Sequence, residues 1–117
     1  MNTPSNLSPI TNPFNSFLFE KEFNNIDQVF KKLSKVAESL PRTKVLKKDD
    51  CYWKGVCKSL VFRFPDDLEI LKIKNNYELK SSRGTIQIRS ASRFGQSDLG
   101  VNQRRIATLV SKLDKIN

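Results

Sequence analysis

The chain has 117 residues, 38% of them hydrophobic, and 21 Lys and Arg against 12 Asp and Glu give a formal charge of +9. That is one domain's worth of chain with apolar material for one small core, which excludes two sizeable domains and wholesale disorder. The absence of histidine excludes, within this chain, a His-based triad, a His metal ligand and an imidazole pH switch.

No stretch of 18 apolar residues is present, so no membrane-spanning helix is expected. The N-terminus has neither a basic segment leading into an apolar one nor an Arg-rich transit composition, so the expected compartment is the cytoplasm. Cys51 and Cys57 would stand about 20 Å apart on one extended strand, beyond disulfide reach. Free thiols fit a reducing compartment, and no metal or other cofactor is expected. The positive charge suggests acidic partners: nucleic acid, anionic lipid or an acidic protein surface. Its scatter along the chain, with no basic run longer than two, reads as an ordinary solvated, self-repelling surface unless folding gathers it. A monomer is expected.

Residues 1–16 are rich in Asn, Ser, Thr and Pro and read as a flexible arm. Phe14, Phe17, Phe19 and Phe23 follow closely. So much aromatic surface is expected to dock on the domain's own core rather than stay exposed. We therefore divide the chain into an arm, 1–24, and a domain, 25–117. From Ile26 to Leu40 the apolar residues keep helical spacing, Asn24 or Asn25 can cap the start, and Pro41 stops the helix. Val45 to Lys47 is a short strand. Tyr52 to Phe64 is a longer one, with Val56, Leu60, Phe62 and Phe64 alternating roughly against Lys54 and Lys58. Leu68 to Lys74 is a strand ending at an Asn75-Asn76 turn, and Tyr77 to Lys80 extends the hairpin. Thr85 to Ser92 is the last strand, with Ile86 and Ile88 on one face and Gln87 and Arg89 on the other. A second amphipathic helix runs from about Asn102 to Asp114, capped by Asn102 or Asp98. The expected fold is α+β: an antiparallel sheet of about four to five strands with the N- and C-terminal helices packed on one face.

The densest segment runs from Arg89 to Arg105 and holds four arginines, three serines and two glycines. Strand parity sends Arg89 and Arg93 to one side and Ser90 and Ser92 to the other. Arg104 and Arg105 fall in the first turn of the second helix, where cations are mildly disfavoured and need compensation. Asp66, Asp67 and Glu69 supply acids upstream, with Asp67 and Glu69 on one strand face and Asp66 on the other. In one reading Arg89, Arg93, Arg104 and Arg105 pair with Asp66, Asp67, Glu69 and Asp98, while Ser97, Asp98 and Asn102 serve as turn and cap residues. In the other, Arg89, Ser90, Ser92, Arg93, Ser97, Asn102 and Arg105 form an anion pocket with free N–H groups of the helix start.

Phe64-Pro65-Asp66-Asp67-Leu68-Glu69, together with the complete run Arg-Ser-Ala-Ser-Arg-x-Gly-x-Ser-Asp-x-Gly-x-Asn-x-x-Arg from Arg89 to Arg105, resembles the domain-of-unknown-function 1499 family. The likeness covers roughly residue 25 to the end. It implies a bacterial or plastid-type protein of a family with no established activity. Many members begin with a Cys-bearing segment. The Asn/Pro-rich arm replaces it here, so nothing that segment does carries over.

Tyr52 and Trp53 among Lys47, Lys48, Lys54 and Lys58 resemble the aromatic-plus-basic interleaving of nucleic-acid platforms, although strand neighbours face apart, so only one can belong to a platform. Ser92 has no base placed by any motif, and Asp66 and Asp67 point apart, so no catalytic residues are assigned. The expectation is a non-catalytic binding or accessory module that recognises an acidic protein surface or small anionic ligand through Arg89–Arg105. The alternative is a nucleic-acid-binding protein using scattered charge and an exposed aromatic.

Overall fold

A computed structural model describes residues 4–59, 63–74, 82–95 and 98–113. The chain forms β1 (Ser16–Phe23), α1 (Ile26–Ser39), β2 (Thr43–Lys48), β3 (Tyr52–Lys58), β4 (Pro65–Lys74), β5 (Gly84–Ser92) and α2 (Val101–Ser111). The sheet order is β1-β5-β4-β3-β2, and every neighbouring pair is antiparallel. The fold is therefore α+β. After β1 the chain runs through α1 to the far edge at β2, then returns by β3, β4 and β5 to lie beside β1.

Strand alternation divides the buried side chains between two clusters. Trp53, Cys57, Leu68, Ile70, Ile86 and Ile88 join Ile26, Phe30, Leu33 and Ala37 of α1 and Ile106 and Leu109 of α2 in the larger core. Tyr52 and Leu71, of opposite parity, form a smaller cluster with Leu7, against which Leu18 and Ile73 pack. Gly55 permits the larger core: a Cβ there would stand 2.6 Å from Cη2 of Trp53.

Three sequence expectations change. The Phe-rich segment placed in the arm is an edge strand of the sheet. Phe17, Phe19 and Phe23, of one parity, pack against the larger core, and Leu18 packs against the smaller one. Upstream of it Leu7 is buried, and its N–H donates to Oε1 of Gln87 at 2.8 Å. The third strand ends at Lys58, and Val56 shares its parity with Lys54 and Lys58 instead of opposing them, because Trp53 takes the core side. The fourth strand begins at Pro65, which pairs with Lys58 as the first residue of β4 and so removes no interior ladder bond. Residues Leu60 and Phe62, the Asn75-Asn76 turn and its Tyr77–Lys80 extension lie outside the described residues. No helix among the described residues is long and apolar enough to cross a membrane.

Candidate functional site

The ends of β4 and β5 meet the start of α2 in a buried polar hub. Register opposes Asp66 to Ser92, so Asp66, Ser90 and Ser92 share the side that carries Leu68 and Ile88. Arg105 Nη1 reaches Asp66 Oδ2 at 2.9 Å, Asn102 Oδ1 at 2.8 Å and Ser90 Oγ at 3.0 Å. The Ser90 hydroxyl donates to Asn102 Oδ1 at 2.6 Å. Asn102 Nδ2 in turn donates to Ser92 Oγ, to the carbonyl of Asn15 and to Asp98 Oδ2 at 2.9, 2.8 and 2.6 Å. Asn102 and Ser90 are fully buried, and this one amide joins β5, α2 and the chain leading into β1. Buried polar groups are tolerated only when satisfied in this way.

Asp98 occupies the place where an exogenous anion would dock on a helix start. Its carboxylate accepts from the N–H groups of Gly100 at 2.7 Å and Asn102 at 2.9 Å. Burial works against its charge, but these bonds from Asn102 and Gly100 outweigh it and hold the carboxyl below its ordinary pKa. Gly100, at φ 82°, supplies the left-handed turn before α2.

The opposite parity of the same strands carries a different set. Arg93 grips Asp67 through Nε and Nη2, the latter at 2.8 Å. Arg89 Nη1 lies 3.9 Å from Glu69, whose other oxygen accepts from the Tyr52 hydroxyl. Burial, then the Glu69 hydrogen bond and charge, push the Tyr52 phenol above its ordinary pKa. The Arg89 Nε is buried with no hydrogen-bond partner among the described residues.

Beside the hub opens a cleft of about 340 Å³. Arg42, Lys58, Arg104 and Arg105 line it together with Leu40, Pro41, Cys57, Val101 and Thr108, and among the described residues no carboxylate does. Arg42 and Lys58 hold each other through backbone: Arg42 Nε donates to the Lys58 carbonyl at 3.0 Å, and the Lys58 N–H to the Arg42 carbonyl at 3.1 Å. Arg104 Nη1 donates to the carbonyl of Leu99 at 3.0 Å. A second concavity of about 500 Å³ shares Leu40, Arg42 and Lys58 and adds Lys44, Arg63 and Arg93. Cationic side chains from β2, β3 and α2 thus gather along one stretch of surface.

The residues read from the sequence as one pocket therefore divide. Ser90, Ser92, Asn102 and Arg105 meet in the hub with Asp66 and Asp98. Arg89 and Arg93 stand on the other side of the sheet with Glu69 and Asp67. The helix start expected to offer free N–H groups is capped by Asp98. Of the two cations expected to need compensation, Arg105 finds Asp66, and Arg104 finds a carbonyl rather than Asp98. Ser97 lies outside the described residues. The proposed exposed aromatic is not supplied by either member of Tyr52-Trp53. Both are buried, Trp53 in the larger core and Tyr52 against Leu7 on the other side of the sheet. Cys57 is a buried thiol and Cys51 is half-buried. Sequence reading missed Arg42 and the Asn15 carbonyl in the hub, and it grouped Lys58 with the lysines around Tyr52-Trp53, whereas the β2–β3 pairing brings Arg42 and Lys58 to α2. Pro41-Arg42 at a helix stop was the one local hint.

Comparison with curated proteins finds no match. The family model for a protein of unknown function, DUF1499, matches residues 6–113, which takes in both helices and all five strands of the described residues, and the chain belongs to that family.

Proposed function

We propose that the protein is a non-catalytic binding module that takes an anionic group, presented by an acidic protein surface or a small ligand, into the cleft beside the hub. The observation that carries this reading is the cleft lining: among the described residues, four cationic side chains, Arg42, Lys58, Arg104 and Arg105, and no carboxylate. Guanidinium forks bind carboxylate and phosphate with direction as well as charge. The hub supports the reading by fixing Arg105 on three acceptors, which lowers the ordering cost of binding. The hydroxyls of Ser90 and Ser92 are both engaged by Asn102, which leaves catalysis the least supported class.

Calorimetric titration with inorganic pyrophosphate at low salt tests it. Saturable binding is expected, weakened about tenfold or more in Arg42→Gln/Arg104→Gln with the melting temperature unchanged. A flat wild-type titration, or a variant that binds like wild type, overturns the cleft as the site.

A second reading, nucleic-acid binding, is favoured by the continuity of the two concavities through Arg42 and Lys58. An extended cationic track suits a polyanion. Single-stranded DNA binding that weakens by orders of magnitude between about 50 and 200 mM salt would favour it. Pyrophosphate binding with a shallow salt dependence favours the first.

A further inference from the structure

We propose that the end of the molecule bearing Phe14, Phe94 and Leu99 seats on an anionic lipid surface, with these side chains entering the interface and the adjoining cations meeting headgroup phosphates. The cationic half of this inference rests on the cleft reading above; the apolar half stands on its own observations. Phe14, Phe94 and Leu99 are 71%, 64% and 83% exposed, the most exposed of the large apolar side chains among the described residues. They come from different turns that the backbone ties together. The Asp98 N–H donates to the Phe14 carbonyl at 2.9 Å, and Asn15 Nδ2 donates to the Gly95 carbonyl at 2.8 Å. These ties bring the turns together, and we take the three exposed side chains as one apolar rim, the kind of surface that marks an interaction site.

Leu99 adds a second observation. Its φ is 55°, a left-handed backbone that favours Gly or Asn and is strained for a larger residue. A turn selected for stability alone would not hold a leucine there with its side chain in water. A third observation selects the partner. The rim runs directly into the cleft: the Leu99 carbonyl accepts from Arg104, and Val101, itself exposed, lines the cleft beside that arginine. Apolar side chains in the plane of an interface, flanked by cations on a chain of charge +9, complement an anionic bilayer. Each cation held near such a surface strengthens binding by about fivefold.

Cosedimentation with vesicles of phosphatidylcholine alone, and of phosphatidylcholine with phosphatidylserine, tests the proposal. The wild type should pellet with the second and much less with the first. The variant Phe14→Ser/Phe94→Ser/Leu99→Gly should bind about tenfold or more weakly, with a melting temperature equal to or above that of wild type because Leu99→Gly relieves the left-handed backbone. Wild-type protein that stays in the supernatant with both vesicles overturns the proposal. So does a triple variant that pellets like wild type, or a wild-type dimer in sedimentation velocity that the triple variant dissociates, since the rim would then meet a second copy. The two readings separate cleanly. Pyrophosphate binding without vesicle binding overturns the lipid surface alone. Vesicle binding that needs the rim but survives Arg42→Gln/Arg104→Gln overturns the cleft's part alone.

Discussion

Asp66 and Asp67 are adjacent on β4, and each binds an arginine at 2.8–2.9 Å, yet the two ion pairs differ in kind. Strand alternation sends Asp66 to Arg105 in the hub, where the side chains are 6% and 12% exposed. It sends Asp67 to Arg93, where they are 25% and 44% exposed. The arginine of the buried pair also donates to Ser90 and Asn102. The outer pair stands in water, with better bidentate geometry and little to lose. Geometry alone does not rank ion pairs; the cost of leaving one partner unpaired does.

The comparison breaks most visibly at Arg105. Arg105→Met should destabilise the protein by about 3–5 kcal/mol in urea denaturation, because Asp66 is left buried without its cation. Asn102→Ala comes next, at about 2–3 kcal/mol: it frees Ser90, Ser92 and the Asn15 carbonyl from their shared partner. Asp98→Ala removes the cap of α2 and should cost about 1 kcal/mol. Its signature is in pH. Because the native carboxyl is held below its ordinary pKa, its contribution is fully present above the unfolded value of about 3.9. It is lost as the pH falls through the lower native value. A melting series in acid should therefore fall less steeply for the variant than for wild type. Arg93→Met should leave the melting temperature unchanged. A large loss there would erase the distinction between the two sides of the sheet.

Much of this arrangement is legible in the sequence. Helical spacing from Ile26 to Leu40 marks α1, and strand parity from Arg89 to Arg93 by itself separates the arginines from the serines. Local pattern does not contain the β4–β5 register, so Asp66 could not be assigned to Arg105 rather than to another base. Nor does it contain the route of Leu7 across the sheet. Tyr52 therefore reads as a stacking surface until that nonlocal contact buries it. The phenylalanines of β1 carry a readable signal, since Phe17, Phe19 and Phe23 share parity. The Pro- and Asn-rich run before them masks it. Arg42 and Lys58 are ordinary surface cations in sequence, and only sheet pairing makes them neighbours of α2.

The most direct test is a pair of double-mutant cycles in urea, one on Asp66→Asn with Arg105→Met and one on Asp67→Asn with Arg93→Met. The hub pair should show a coupling above about 1 kcal/mol, as expected of contacting groups in one buried network, and the outer pair none that can be resolved. Equal couplings in the two cycles, or a larger one at Asp67–Arg93, would contradict the division of this segment into a structural hub and a solvated pair.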